Sequence, residues 1–458
     1  MSYKNYLKIV PAFMLAGTLI FSGCAKTSTS TNNTTTTQST NKTTSATKTT
    51  SNGTTTLNYQ VSAMDLSSMF TSRDLEQEAD TTDAVNVTLS NNATKVSKVN
   101  GSGNKSAVTI DNETNTITIK EAGVYVFSGT LSDGQIVVEA ADTDKVQIVL
   151  DGVNITNDTS AAIYVKQADK TFITTTDGSK NTLETTGTFE ADGETNVDGT
   201  IFSKDDLTIN GKGTLTVKST AHGIVSKDDL KVTGSTLNVT ATSHALQGKD
   251  SIRIYDGTLN LTAGKDGLHS GNDEDKEKGY IYIEGGKLTI NADDDGIHAD
   301  TDLYIKNGTI DIKKSYEGLE GNTITIEDGK IDIVSSDDGM NAATSSDDTN
   351  EESQGMFKNG PNTDDPNASD DTAVLYINGG TITVNANGDG LDSNGSLTVT
   401  GGTVYVAGPS DNGNGALDVG GSATITGGTV IATGASGMAV NFGENSTQGS
   451  MLVSVSNT

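Results

Sequence analysis

Residues 281–312 read IYIEGGKLTINADDDGIHADTDLYIKNGTIDI. The stretch holds two similar units, IYIEGGKLTI from Ile281 and LYIKNGTIDI from Leu303, on either side of the polar DDDGIHAD at 293–300. In each unit apolar and polar residues alternate about a glycine turn, which is the period of a strand with one buried face. The unit recurs as LTINGKGTLTV from Leu207, LKVTGSTLNV from Leu230, IRIYDGTLNL from Ile252 and ITIEDGKIDI from Ile324. It continues as LYINGGTITV from Leu375, LTVTGGTVYV from Leu397 and ATITGGTVIAT from Ala423.

Between the units lies a second repeat: AHGIVS, SHALQG, KDGLHS, DDGIHA, YEGLEG, DDGMNA and GDGLDS. The residue before its glycine, or before the alanine in its place, falls at His222, His244, Asp266, Asp295, Glu317, Asp338 and Asp389, in steps of 22, 22, 29, 22, 21 and 51. The two long steps are a period plus a polar insertion, at 272–278 and within 345–371. A period near 22 with three short strands predicts an all-β solenoid, a parallel β-helix with one coil per repeat. A row of antiparallel hairpins is disfavoured, because in-register stacking directly explains why the same residue types return at equal spacing.

Composition agrees. Glycine is abundant at 51, proline scarce at 4, and tryptophan absent, which suits many strands and turns. Sixty acidic against thirty basic residues leave a net charge of −30. That excludes a nucleic-acid or anionic-membrane surface, which needs clustered Lys and Arg. No P-loop, zinc motif or nucleophile triad is present.

The single cysteine, Cys24, sits in MLAGTLIFSGCAK, after Lys4, Lys8 and an apolar run from Ile9 to Phe21. The run is short for a membrane span of roughly 20 residues. Ser22, Gly23 and Cys24 resemble the end of a bacterial lipobox, although Phe21 stands where leucine is usual. The expectation is a lipoprotein signal over 1–24, lipidated at Cys24 and holding the protein on the outer face of the cell membrane; an ordinary signal peptide is the alternative. Residues 25–56 are nearly all Thr, Ser and Asn and read as a disordered tether. SAMDLSSMF suggests a small cap, and residues 57–458 read as one solenoid. The strand-like MLVSVSNT at the end of the chain either caps the solenoid or leads into further sequence.

Equivalent positions in a β-helix stack about 4.8 Å apart. One column then holds His222, His244, Asp266, Asp295, Glu317, Asp338 and Asp389. A second, three residues on, holds Val225, Gln247, His269, His298, Glu320, Asn341, Asp392 and Asp418. Stacked carboxylates at this spacing repel by roughly 1 to 3 kcal/mol per pair. Such a ladder persists where water solvates it or a cation binds it. Asp266, Asp294, Asp295, Glu317, Glu320, Asp337, Asp338, Asn341, Asp389 and Asp392 offer hard oxygens, the ligands calcium takes. His269 and His298 add only two rings among these oxygens, a weak case for a transition metal. A solvated acidic turn is the plain alternative.

A third, outward column reads Arg253, Tyr282, Tyr304, Thr325 and Tyr376. Tyrosine joins an apolar ring to a polar tip, suited to stacking on sugars. Arg253, Tyr282, Tyr304 and Tyr376, with His269 and His298, are therefore the candidate carbohydrate contacts. Packing beneath the insertions is the other reading of the rings.

These repeats, with GVYVFSGTLSDGQIVVEAADTDKVQIVLDGVNITND at 123–158 and FTSRDL at 70–75, resemble the clostridial β-helix carbohydrate-binding family. The resemblance covers about residues 63–458. It implies a right-handed parallel β-helix that carries calcium and binds plant polysaccharides such as polygalacturonate and cellulose. It also implies distant similarity to family 9 polysaccharide lyases, which share the fold and use a calcium-assisted lysine base. The expected function is non-catalytic binding of plant cell-wall polysaccharide through a calcium-bearing face. A pectate lyase with Lys265 as base, or Lys249 one coil earlier, is the first alternative. A structural or adhesive surface protein is the second.

Overall fold

The computed structural model describes residues 49–51, 54–56, 68–98, 104–344 and 372–455. Two compact units are distinguished, 1–65 and 66–458. Of the first, only a short antiparallel pair is described, Thr49–Ser51 with Thr54–Thr56. Cys24, the expected signal segment, most of the expected tether and the 345–371 insertion lie outside the described residues.

The second unit is a parallel β-helix. One coil consists of Leu246–Gly248, Ser251–Ile254 and Thr258–Ala263. The next consists of Leu268–Ser270, Tyr280–Ile283 and Lys287–Ala292, and each strand pairs in parallel with its counterpart. The two strands flanking each glycine turn thus pair with neighbouring coils and not with each other. Among the described strands of this unit, hairpin pairing is confined to its start, where Val85–Leu89 meets Lys95–Lys98 and Val108–Asp111 meets Thr116–Ile119. The described residues contain no α-helix.

The interior is made of stacked aliphatic columns. Leu246, Leu268, Ile297, Leu319, Met340, Leu391 and Leu417 form one, and Ile252, Ile281, Leu303, Ile324, Leu375 and Leu397 another, all buried. Each such side chain contributes roughly 1.5–3 kcal/mol by leaving water. Turn glycines keep the coils at strand spacing. Gly329 has φ +116°, and a Cβ there would stand 2.9 Å from the Gly308 carbonyl oxygen. At the motif glycine Gly339 the limit is close approach: a Cβ would meet the Gly390 carbonyl oxygen at 2.4 Å and Val384 at 2.2 Å.

Most of SAMDLSSMF (62–70), the expected cap, lies outside the described residues. Residues 69–78 run as a strap over the middle sheet, the one formed by the second strand of each coil, Ser251–Ile254 and its counterparts. Asp74 is fully buried there, its Oδ1 accepting from Lys170 Nζ at 2.7 Å and Thr208 Oγ1 at 2.8 Å. Gln77 donates to the Thr233 carbonyl at 2.8 Å and accepts from the Gly211 N–H at 3.2 Å. Arg73 lies 4.5 Å over the Phe172 ring.

Candidate acidic and histidine column

The register places the expected residues together. His269 pairs with His298, His298 with Glu320, Glu320 with Asn341, and Asn341 with Asp392. In the neighbouring column each motif glycine donates its N–H to the carbonyl of the next coil: Gly267 to Asp295, Gly296 to Glu317, Gly318 to Asp338 and Gly339 to Asp389. The carboxylates also cap one another's backbones. Asp266 Oδ1 accepts from the Asp295 N–H, and Asp295 Oδ1 from the Glu317 N–H, both at 3.0 Å; Asp338 Oδ1 accepts from the Asp389 N–H at 2.6 Å. One oxygen of each residue is thus committed to the fold, and the other is left for chemistry.

The two columns converge, which spacing alone does not reveal. The rings of His222 and His244 stack at 5.0 Å, those of His244 and His269 at 4.2 Å, and His269 meets His298 at 5.1 Å. All four histidines form a single pile, although they come from two columns. The repeat signal that found His269 also held His222 and His244, but it assigned them to a separate row.

Charge divides the pile. Burial, reinforced by His244 and Lys227, drives His222 down to about 3, and burial likewise lowers His244. Burial raises the Asp266 carboxyl, but its contacts with the His244 and His269 rings outweigh this and hold it below the usual range. His298 is the opposite case. Burial lowers it, yet Asp295, Asp300 and Glu320 overcome that and raise it well above the ordinary imidazole value. Its Nδ1 lies 2.8 Å from Glu320 Oε2 and 3.3 Å from Asp295 Oδ2, and its Nε2 3.5 Å from Asp300 Oδ1. His298 is a built-in cation for the carboxylates around it.

Beyond His298 the column holds carboxylates and one amide, Asn341. Glu317, whose two oxygens accept from Asn341 Nδ2 at 3.2 and 3.0 Å, is raised well above its usual value by burial and by Glu320 and Asp295. Asp338, Asp389 and Asp392 each bring a carboxylate oxygen within 4.8 Å of the others. Burial first, then mutual repulsion, raises them to about 7, 6 and 8. Asn341, beside Asp392 in register, keeps a buried Oδ1 that has no hydrogen-bond partner among the described residues. Asp294 is exposed, and it and Asp337 stand outside the close groups. Asp266 keeps company with the histidines and not with this oxygen-only set.

The outward column is also in register, but half of it is covered. Tyr282 is 0% exposed, with Phe70 of the strap packed 6.1 Å from its ring and its hydroxyl bonded to Glu284. Arg253 donates to the Met69 carbonyl at 3.3 Å and pairs with Asp229 at 2.8 Å. Arg253 and Tyr282 therefore anchor the strap, and the expectation that they offer a sugar-stacking surface is corrected. Tyr304, whose hydroxyl donates to Glu327 at 3.1 Å, and Tyr376 lie beyond the strap and are partly exposed. Lys265 is exposed at the rim of the histidine pile, whereas Lys249 pairs with Glu274 of the 272–278 insertion at 2.6 Å. Asn272 and Lys278 of the same insertion both bond Asp250, which fixes the excursion against the coil.

Sequences described as carbohydrate-binding domain-containing proteins match residues 113–350 and 317–413, more than half of the chain. A protein so named from Acetivibrio thermocellus is 43% identical over 121 residues, which is 26% of this chain and 42% of that relative. The match thus spans less than half of the relative's length. A solved polysaccharide lyase-like protein from C. thermocellum, a gadolinium derivative, is similar with 32% identity and a TM-score of 0.44, covering 53% of this chain and 90% of the other.

Proposed function

We propose, because this chain belongs to the family of carbohydrate-binding domain-containing proteins, that it binds acidic plant cell-wall polysaccharide such as polygalacturonate on the cell surface, without cleaving it, using calcium. The observation that carries this reading is the oxygen-only group of Asp338, Asp389 and Asp392, with the unpartnered Asn341 Oδ1 beside it. A protein of net charge −30 repels a polyuronate. Calcium, which accepts six to eight oxygen ligands in flexible geometry, joins protein and uronate carboxylates where direct contact is unfavourable.

The donor set fits that ion. The carboxyls at about 6 to 8 mark charge that nothing nearby neutralises, in contrast to Glu320, which His298 holds below its usual value. Asp338, Asp389 and Asp392 would hold calcium, with Asn341 as a neutral fourth donor. Tyr304 and Tyr376 supply ring edges on the middle sheet for sugar contact. Attachment at Cys24 would place the solenoid outside the membrane.

A pull-down on polygalacturonate, cellulose and xylan, with calcium and with excess EDTA, tests the reading. Polygalacturonate retention should require calcium and fall in Asp392→Asn. Retention unchanged by EDTA would sink the calcium bridge. Unsaturated product, seen as rising ultraviolet absorbance, would sink the non-catalytic assignment.

A further inference from the structure

The net charge of −30 conceals a local exception. Parallel register aligns Val165 with Ser203, Ser203 with Ser226 and Ser226 with Gly248. The residues that follow them, Lys166, Lys204, Lys227 and Lys249, therefore occupy one position in four successive coils. The backbone carries the register through the lysines: the Lys204 N–H donates to the Val165 carbonyl, that of Lys227 to Ser203 and that of Lys249 to Ser226. Equivalent positions stack about 4.8 Å apart, so this edge of the solenoid bears one ammonium group per coil.

The two ends of the ladder already hold carboxylates, supplied by excursions of the chain. Lys166 Nζ lies 2.7 Å from Asp192 Oδ2, on the 186–198 connection. Lys249 Nζ lies 2.6 Å from Glu274 Oε2, on the 272–278 insertion. The middle is different. Lys204 and Lys227 form no ion pair among the described residues, and Lys227 Nζ rests 5.4 Å over the Phe202 ring instead. The aspartate after each lysine is committed elsewhere. Asp205 Oδ2 accepts the Ala168 N–H at 2.9 Å, Asp228 bonds Asp250, and Asp250 takes Asn272 and Lys278. Lys204 is exposed and Lys227 partly exposed. Like charges about 4.8 Å apart repel by roughly 1 kcal/mol in water and by more against a protein wall. In a chain with sixty acidic residues, two adjacent lysines left unneutralised between two carboxylate-filled ones mark an anion site whose ligand is not part of the fold. The filled ends show the kind of anion that the ladder takes.

We propose that Lys204 and Lys227 bind carboxylates of a polyuronate directly, with the polymer lying along the solenoid axis between Asp192 and Glu274. The inference rests on the reading of the chain as a polyuronate binder. It adds a contact made without metal, five coils before the coil of Asp338. Ammonium groups on flexible stems, one per coil, suit a polymer that carries one carboxylate per sugar.

The test uses the full chain with calcium in excess and tetragalacturonate as the probe, followed by calorimetry. Lys204→Gln/Lys227→Gln should bind about three- to tenfold more weakly, two exposed ion pairs being lost. Its affinity should also depend less on salt than the parent's. Lys204→Gln alone should bind about two- to fivefold more weakly. Lys95→Gln/Lys120→Gln makes the same charge change at exposed positions near the start of the unit and should bind as the parent does. Circular dichroism should match the parent in every variant. Equal affinity of the parent and Lys204→Gln/Lys227→Gln overturns the lysine assignment and leaves the calcium reading standing. An equal loss in Lys95→Gln/Lys120→Gln does the same. Absence of binding by the parent itself would remove the polyuronate reading, and this inference with it. Single-stranded DNA bound as tightly, with the same dependence on the two lysines, would make the ladder a general anion surface and overturn its assignment to uronate.

Discussion

A single buried carboxylate shows how residue-level chemistry holds the strap. Burial raises the Asp74 carboxyl, but Lys170, the Thr71 N–H and Thr208 together hold it at about 2 against an ordinary 3.8. Because the folded value is the lower one, the stabilisation is full above about 3.8 and is lost as pH falls towards 2, a total of about 2 kcal/mol. Trypsin cleavage after Arg73 should therefore accelerate between pH-jump samples held at 4 and at 2. Asp74→Asn should show the faster cleavage already at neutral pH, since Lys170 would be left buried beside an uncharged partner. Equal cleavage of parent and variant would mean the ion pair does not hold the strap.

At the scale of elements, the turn connecting coils leaves no room for a side chain at its glycine. Gly339 stands where a Cβ would press on the Gly390 carbonyl and Val384 from the next coil, so the backbone itself would have to move. Gly339→Ala should cost about 1–3 kcal/mol and lower the melting temperature. It should also weaken the proposed calcium binding, because Asp338 precedes it and shares its turn. An unchanged melting temperature would show that adjacent coils can separate there. The same turns explain why aspartates recur: Asp266, Asp295 and Asp338 each accept a backbone N–H from the next coil, so these residues are structural through one oxygen and chemical through the other.

Across the whole solenoid, contacts run almost entirely between neighbouring coils. Stability is then close to a sum of coil and interface contributions, and opening begins at an end. Hydrogen exchange followed by mass spectrometry should find residues 281–335 slowest and residues 417–433 much faster; uniform exchange would contradict this. Leu319→Ala, in the buried column of the middle coils, should cost about 2–5 kcal/mol and speed exchange mainly in adjacent coils.

The repeat made most of this arrangement legible from the amino acids. In-register parallel stacking turns equal spacing along the chain into adjacency in space, so His269, His298, Glu320, Asn341 and Asp392 could be aligned by counting. Counting fails where adjacency does not follow the period. The strap touches Thr208, Thr233 and Arg253 across 134 to 184 residues with no repeat to announce it, and it covers Arg253 and Tyr282. Whether two columns three residues apart converge depends on side-chain directions at a bend, which periodicity does not encode. The sequence by itself determined the coil, its register and the chemical type of each column. Only the tertiary structure decided which outward residues remain exposed, and that DDDGIHAD lies at a boundary. On one side His298 neutralises its neighbours; on the other, Asp266 is gathered between His244 and His269.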